Sequence, residues 1–436
     1  MPTSTNPADQ ESVVYAPLLN AIYAFSARWL PLLYPSRGKE CPDEQFEELA
    51  EHFWRKARQD MLKLINQSSY RAVLTMLIFG LTPLPCGISK SEEMNGLSGY
   101  TCLQLALQKL QALRARPRTL QFSLSSEPAS PRSSFNHVTA DMVADKALLD
   151  AEAGAYLVGL IMDTASSLTL DRQSVLCSGL LGFEFEATFE LIRKRSLLFQ
   201  VETESWLRNG FVVTDDTAMK VIGVTSRWKL YTFKRIALFK EALRDGHDET
   251  KVTHAFVGAS DAIAHFQTVY QPILDVCEKK LYLLSRSTRL VWYVVLLHYY
   301  LGVLILADAI QAVGRTELLD RLSISRMEAV QCISDVLTLG LKNTFSPYSA
   351  DDTSMSSTLS SVKSFVAWDP YPHHTVAAIQ LAFNCVSADF TEGSISRDYF
   401  GTVLSTLLLA LKDLACCSKF AQTIQQTVAE AYEEVR

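Results

Sequence analysis

Leu290 to Ala307 reads LVWYVVLLHYYLGVLILA, eighteen consecutive residues without a formal charge. Arg286 and Arg289 precede the run and Asp308 follows it. A stretch of this length and polarity qualifies as a membrane span. A helix that is apolar all round is also what the centre of a large helical core requires. His298 and Gly302 inside the run, and the lack of a second comparable segment, favour the core. On that reading the other helices of the chain surround this one.

Moving outward, the chain supplies them. Residues 1–12 are polar and are expected to be disordered. Leu18, Ile22, Phe25 and Trp29 then form a helical stripe, which Pro31 should stop. Pro42-Asp43 opens a second helix carrying Phe46, Leu49, Phe53, Ala57, Met61 and Leu64 on one face and mixed charges on the other. Tyr70–Leu81 reads as a buried third helix closed by Pro83 and Pro85. Further helices are predicted over 100–113, 148–170, 184–199, 217–245, 251–285, 287–312, 373–388, 398–416 and 419–434. Two Ser-rich stretches, 123–137 and 346–364, read as surface loops, the first an unmodified flexible loop in preference to a phosphorylation site at Ser130-Pro131. No period of 30 to 45 residues recurs, so a regular solenoid is not expected. The predicted fold is all-α: a single large multi-helix domain over residues 13–436.

Composition agrees. The 436 residues are 48% hydrophobic with only 18 glycines and 15 prolines, which suits long helices better than many short strands and turns. Net charge is −6 and the first basic residue is Arg28, so neither a basic DNA arm nor the charged start of a secretory signal is expected. Nine cysteines lie at 41, 86, 102, 177, 277, 332, 385, 416 and 417 with no Cys-x-x-Cys, a pattern of reduced thiols in the cytosol or nucleus.

A search for chemistry returns little. No GxGxxG or P-loop occurs, and Gly96-Leu97-Ser98-Gly99-Tyr100 lacks the spacing of a nucleophile elbow. Glu51-His52 is not part of HExxH. Asp215-Asp216 and Asp351-Asp352 lack the third acid that a Mg²⁺-binding cyclase would need and read as turn residues. His373-His374 follows Pro370 and Pro372 without a third ligand near in sequence, and reads as a helix start. Arg114/Arg116/Arg118 and Arg193-Lys194-Arg195 are short basic clusters, each a solvated helix end, a nuclear import signal or a partner patch. No catalytic, cofactor-binding, metal or DNA-binding residue is assigned, and no cofactor is implied.

The order of the helices resembles the fungal-specific transcription factor domain, the middle homology region of binuclear zinc-cluster regulators. Its opening helix ends in a small-small-Arg signature, here Leu18-Leu19-Asn20-Ala21-Ile22-Tyr23-Ala24-Phe25-Ser26-Ala27-Arg28. Ala50, Phe53, Trp54, Ala57 and Arg58 match the family's next helix, and Val73–Gly80 with Gly87 its buried aliphatic one. Gly99, Tyr100 and Ala106 echo a degenerate fourth element. Glu152, Tyr156, Leu157, Leu160, Ile161, Met162 and Asp163 match the acidic-to-aromatic helix, with Thr164 where the family has arginine. Leu297-His298-Tyr299-Tyr300 followed by Leu304-Ile305-Leu306 fits the family's Leu-His-x-Tyr helix.

The resemblance covers about residues 15 to 435 and implies that 290–307 is a core helix rather than a membrane span. It carries no catalytic residue. The six-cysteine zinc cluster has no counterpart, since Cys41 is the only cysteine before residue 86. The implied function is therefore a nuclear transcription regulator that reaches DNA through a DNA-binding transcription factor or co-regulator. A small-molecule effector among its helices and a setting in a secondary-metabolite pathway are further implications. A helical biosynthetic enzyme with an unrecognised site and a scaffold are the competing readings.

Overall fold

Helices form where apolar residues recur three and four apart, and several begin on a side chain that accepts from the free N–H groups of the first turn. Ser69 caps one through Ala72, Asp248 another through Lys251, and Ser285 a third through Thr288. The structure, a computed structural model, describes residues 7–33, 44–124, 140–177, 179–184, 186–345, 363–415 and 419–435. In order these are α1 (Pro7–Ala27), α2 (Leu30–Leu33), α3 (Glu44–Leu64), α4 (Tyr70–Leu81), α5 (Lys90–Met94), α6 (Gly99–Leu124), α7 (Ala140–Thr169), α8 (Gly179–Glu184) and α9 (Ala187–Asn209). There follow α10 (Asp215–Arg244), α11 (Glu249–His265), a π-helical turn (Phe266–Tyr270), α12 (Gln271–Glu278), a 3₁₀ turn (Leu281–Leu283), α13 (Arg286–Ala312) and α14 (Thr316–Lys342). A ribbon of β1 (Thr344–Phe345) and β2 (Lys363–Ser364) precedes α15 (Pro372–Thr391), α16 (Arg397–Ala415) and α17 (Lys419–Val435). The fold is all-α, as the periodicity predicts; among the described residues that antiparallel ribbon is the only sheet.

Packing divides the chain into two compact units, a partition the hydrophobic pattern of 13–436 does not display. The first comprises Met1–Arg28, Glu47–Asp163 and Ser174–Cys177; the second comprises Trp29–Phe46, Thr164–Gln173 and Ser178–Arg436. In the first, α4 packs on α1 and α6 around Trp54, Met61, Met76, Phe79, Cys102 and Leu107. Arg58 is the polar bolt of this unit. Its guanidinium lies over the Trp54 ring and donates to the carbonyls of Glu92, Glu93 and Leu97, which fixes the turn between α5 and α6.

In the second unit α13 is central, packed by α10, α14 and α15. Trp292, Tyr293, Leu297, Tyr299, Leu301 and Leu306 are each 1% exposed or less. α13 is long and apolar enough to cross a membrane, and 78% of its most apolar window is buried inside the protein. Two glycines allow the close approach. A Cβ on Gly302 would stand 2.6 Å from Phe233 of α10, and one on Gly340 of α14 would stand 2.6 Å from Tyr293.

Several local expectations need correction. α1 starts at Pro7, so residues 7–12 are helical rather than disordered; proline suits a first helical position because it has no N–H to leave unpaired. The buried face of α1 is Asn20, Ala21, Ala24 and Ala27, one step round from the expected Leu18–Ile22–Phe25 stripe, and Ile22 is exposed. Alanines win that face because α1 packs closely on α4. α1 ends at Ala27, and Pro31 lies inside α2 instead of stopping α1. On α3, Leu49 is exposed while Trp54 and Arg58 are buried. Ser123 and Leu124 belong to α6, and Lys363 and Ser364 to β2, not to loops. The helix predicted over 251–285 is broken into four pieces. Pro272 at the start of α12 cannot donate and would clash with a tight preceding turn, and the helix widens to a π turn just before it. α14 is an additional helix, with Leu318, Leu322, Ala329, Ile333 and Leu337 on its buried face. The remainder of 1–12 and of both Ser-rich stretches, the Pro42-Asp43 helix opening, Ser130-Pro131, Asp351-Asp352, Cys41 and Cys416–Cys417 lie outside the described residues.

Candidate functional site

Two clusters of polar groups in the second unit lie against the aromatic interior. The larger surrounds α13. His298 points from the middle of that helix toward the start of α15, where Pro372 begins the helix and sets His373 and His374 in its first turn. The His298 and His374 rings meet edge-on at 4.8 Å, with Tyr371 5.7 Å from His298. Both imidazoles are buried, and neither His298 Nε2 nor His374 Nδ1 has a hydrogen-bond partner. Burial pushes both well below the ordinary histidine value, and Lys229 and His373 push each further. Both are therefore neutral near pH 7.

Lys229 comes from α10, and burial lowers its ammonium to about 8 against the pull of Asp369. Asp369 is itself tied down, accepting from the Tyr371 N–H at 2.7 Å and from the Thr375 hydroxyl. The Tyr293 hydroxyl has no partner at hydrogen-bonding geometry, although Thr375 and Asp369 both act on it; its pKa is driven up chiefly by burial. The sequence alone presents His373-His374 as an isolated pair; the fold adds a third histidine from α13. Three imidazoles do not make a metal centre here. Among the described residues no group of three or more His, Cys, Asp or Glu is placed to hold an ion.

The second cluster joins three helical segments. Ser196 of α9 lies 2.7 Å from His265 Nε2 and 2.7 Å from the Tyr270 hydroxyl. The Trp228 ring packs at 4.4 Å on His265, and Tyr270 stacks at 5.4 Å on Phe199. The π turn positions this set, because it carries Tyr270 one turn beyond His265 on the widened helix. A Ser–His contact of this length is the start of a nucleophile–base pair. The rest of the machinery is missing. Burial alone lowers the His265 pKa, with no carboxylate acting on it, and Ser196 is 1% exposed in mid-helix, where backbone N–H groups are already used. The set braces α9 against the π turn.

Other sequence candidates resolve into structure. Ser98 accepts from the Thr101 N–H at 3.0 Å and caps α6, so Gly96–Tyr100 is a helix start. Asp215 accepts from the Ser285 N–H and the Thr288 hydroxyl, holding the start of α10 to the start of α13. Glu51 pairs with Arg55, and His52 is exposed. Arg114 lies 3.6 Å above the Tyr156 ring. Burial raises the thiols of Cys102 to about 12 and of Cys277, Cys332 and Cys385 to about 11, which leaves them unreactive. Arg193, Lys194 and Arg195 stand exposed on α9. Compared with known protein families, with curated proteins and with solved structures, the chain matches none.

Proposed function

We propose that the chain is a transcription regulator that works by protein contacts, in the manner of the fungal-specific transcription factor domain it resembles, in the nucleus and with a DNA-binding partner. The observation that carries the reading is Leu297–Tyr300. This Leu-His-x-Tyr segment, the best match to the family pattern, lies at the packing centre of the second unit with its histidine buried and neutral. Three further features support the reading. The inner members of the polar clusters, His298, His374, Asp369 and Ser196, are buried. The net charge of −6 gives no global attraction to phosphates. The described cysteines and histidines form no zinc-binding group.

An effector would have to reach the His298–His374–Lys229 cluster through an opening of α15 from α13, since the unpartnered nitrogens there have no exposed surface. The test of the reading is paired. Deleting the gene should change transcript levels of a discrete set of genes, and the purified chain should not shift duplex DNA at ~0.15 M salt. Tight, salt-sensitive binding of naked DNA would overturn the partner-dependent mechanism. Confinement to the cytosol would overturn the regulator reading in favour of a biosynthetic enzyme, whose one supporting observation is the Ser196–His265 contact.

A further inference from the structure

α9 has two apolar faces, and only one of them has a partner. Its inner stripe, Phe189, Ile192, Ser196, Phe199 and Thr203, is buried in the second unit. Opposite it, Leu191, Leu197, Leu198 and Val201 are 53%, 56%, 71% and 68% exposed. At about 100° per residue these four fall within about 120° of one another, centred on the side away from the core. Single exposed leucines are ordinary on a protein surface, but four on one helix face form a strip that binding would cover.

The charges beside the strip say what would cover it. By the same helical count Arg193 flanks it on one side and Arg195 on the other, with Lys194 between. Both arginines are exposed, and neither makes an ion pair among the described residues. The acids of α9 are already engaged: Glu190 with Lys194, Glu202 with Lys220, and Glu204 with Arg208. The strip therefore carries four aliphatics with the exposed Glu190–Lys194 ion pair running through it, and its edges carry two arginines that form no ion pair among the described residues.

We propose that the outer face of α9 docks an amphipathic helix of a partner protein, with aliphatic residues on its inner face and Asp or Glu along both flanks. The surface names the contact that the regulator reading requires, and the inference rests on that reading for its biological setting. Leucines of the partner would lie along Leu191, Leu197, Leu198 and Val201, and its carboxylates would reach the guanidinium groups of Arg193 and Arg195. An anionic lipid surface is the competing occupant and forms one arm of the test.

The test uses the purified full chain and a fluorescein-labelled synthetic helix with leucines at i, i+3, i+4 and i+7 and glutamates on both flanks. Anisotropy should report binding that weakens with salt. It should fall about tenfold or more in Leu198→Ser/Val201→Ser and again in Arg193→Ala/Arg195→Ala, with melting unchanged because all four positions are exposed. The same peptide with lysine for glutamate, and phosphatidylserine vesicles, should not bind. No binding of the acidic peptide, equal binding by the variants, or preferential binding of vesicles would overturn the proposal. So would a self-associated wild type that Leu198→Ser/Val201→Ser makes monomeric, since a second copy would then own the face. These readouts are made on isolated protein, so they fail independently of nuclear location and of transcript changes, which test the regulator reading.

Discussion

His298 and His374 face each other without hydrogen bonds on their inner nitrogens, and the groups around them are Lys229 of α10, Tyr293 of α13, Asp369 and Tyr371 before α15, and His373 and Thr375 of its first turn. Burial favours the neutral imidazole in the folded chain, whereas the unfolded histidine titrates near its ordinary value of about 6.5. Below that pH the unfolded chain binds protons that the folded chain refuses. The stability contributed by the pair is therefore intact above about pH 6.5 and lost as pH falls, by about 1.4 kcal/mol per histidine per pH unit until the folded imidazoles titrate. Urea unfolding between pH 7.5 and 5.5 should show this slope, and His298→Gln/His374→Gln should flatten it; a wild-type midpoint independent of pH would contradict the burial. At the other cluster, Ser196→Ala removes one hydroxyl shared by His265 and Tyr270 and should cost about 1–3 kcal/mol, read from the melting temperature. If Ser196 braces the fold as described, a fluorophosphonate probe will not label the wild-type protein; labelling lost in Ser196→Ala would instead mark a nucleophile.

Elements show where the chain could and could not be read in advance. α13 was legible because eighteen uncharged residues leave few options, and α4, α10 and α15–α17 follow from three-and-four spacing with caps or prolines at their ends. α14 is hard to read from sequence because exposed Ile324 and Met327 and many charges interrupt its buried stripe. On α1 the large residues Leu18, Ile22 and Phe25 suggest one face, while tight packing on α4 selects the alanines of the next. The His298–His374 and Ser196–His265 pairs were invisible for a different reason. Their members lie on separate helices far apart in sequence, and only the hint of a break at Pro272 marks the second. Two substitutions test the element packing. Leu297→Asp buries a charge at a fully enclosed position and should cost on the order of 4–5 kcal/mol, enough to unfold much of the second unit by circular dichroism. Gly302→Val pushes a branched side chain into Phe233 and should cost roughly 1–3 kcal/mol. Unchanged melting of either variant would place α13 outside the core.

At the scale of the whole molecule, the described residues combine a helical body, polar clusters set against an aromatic interior and an outer face of α9 whose leucines are exposed between two arginines. The chain's net charge of −6 gives no global attraction to phosphates. If it regulates transcription, its presence at promoters has to be borrowed from another protein, and the outer face of α9 is where that dependence would be felt. The most direct measurement is genome-wide chromatin crosslinking of the tagged full chain, run for wild type and for Leu198→Ser/Val201→Ser. The account predicts enrichment of the wild type at a discrete set of promoters, with the signal reduced in the variant while the folded protein remains at normal abundance. A wild-type profile no different from an untagged control would contradict it.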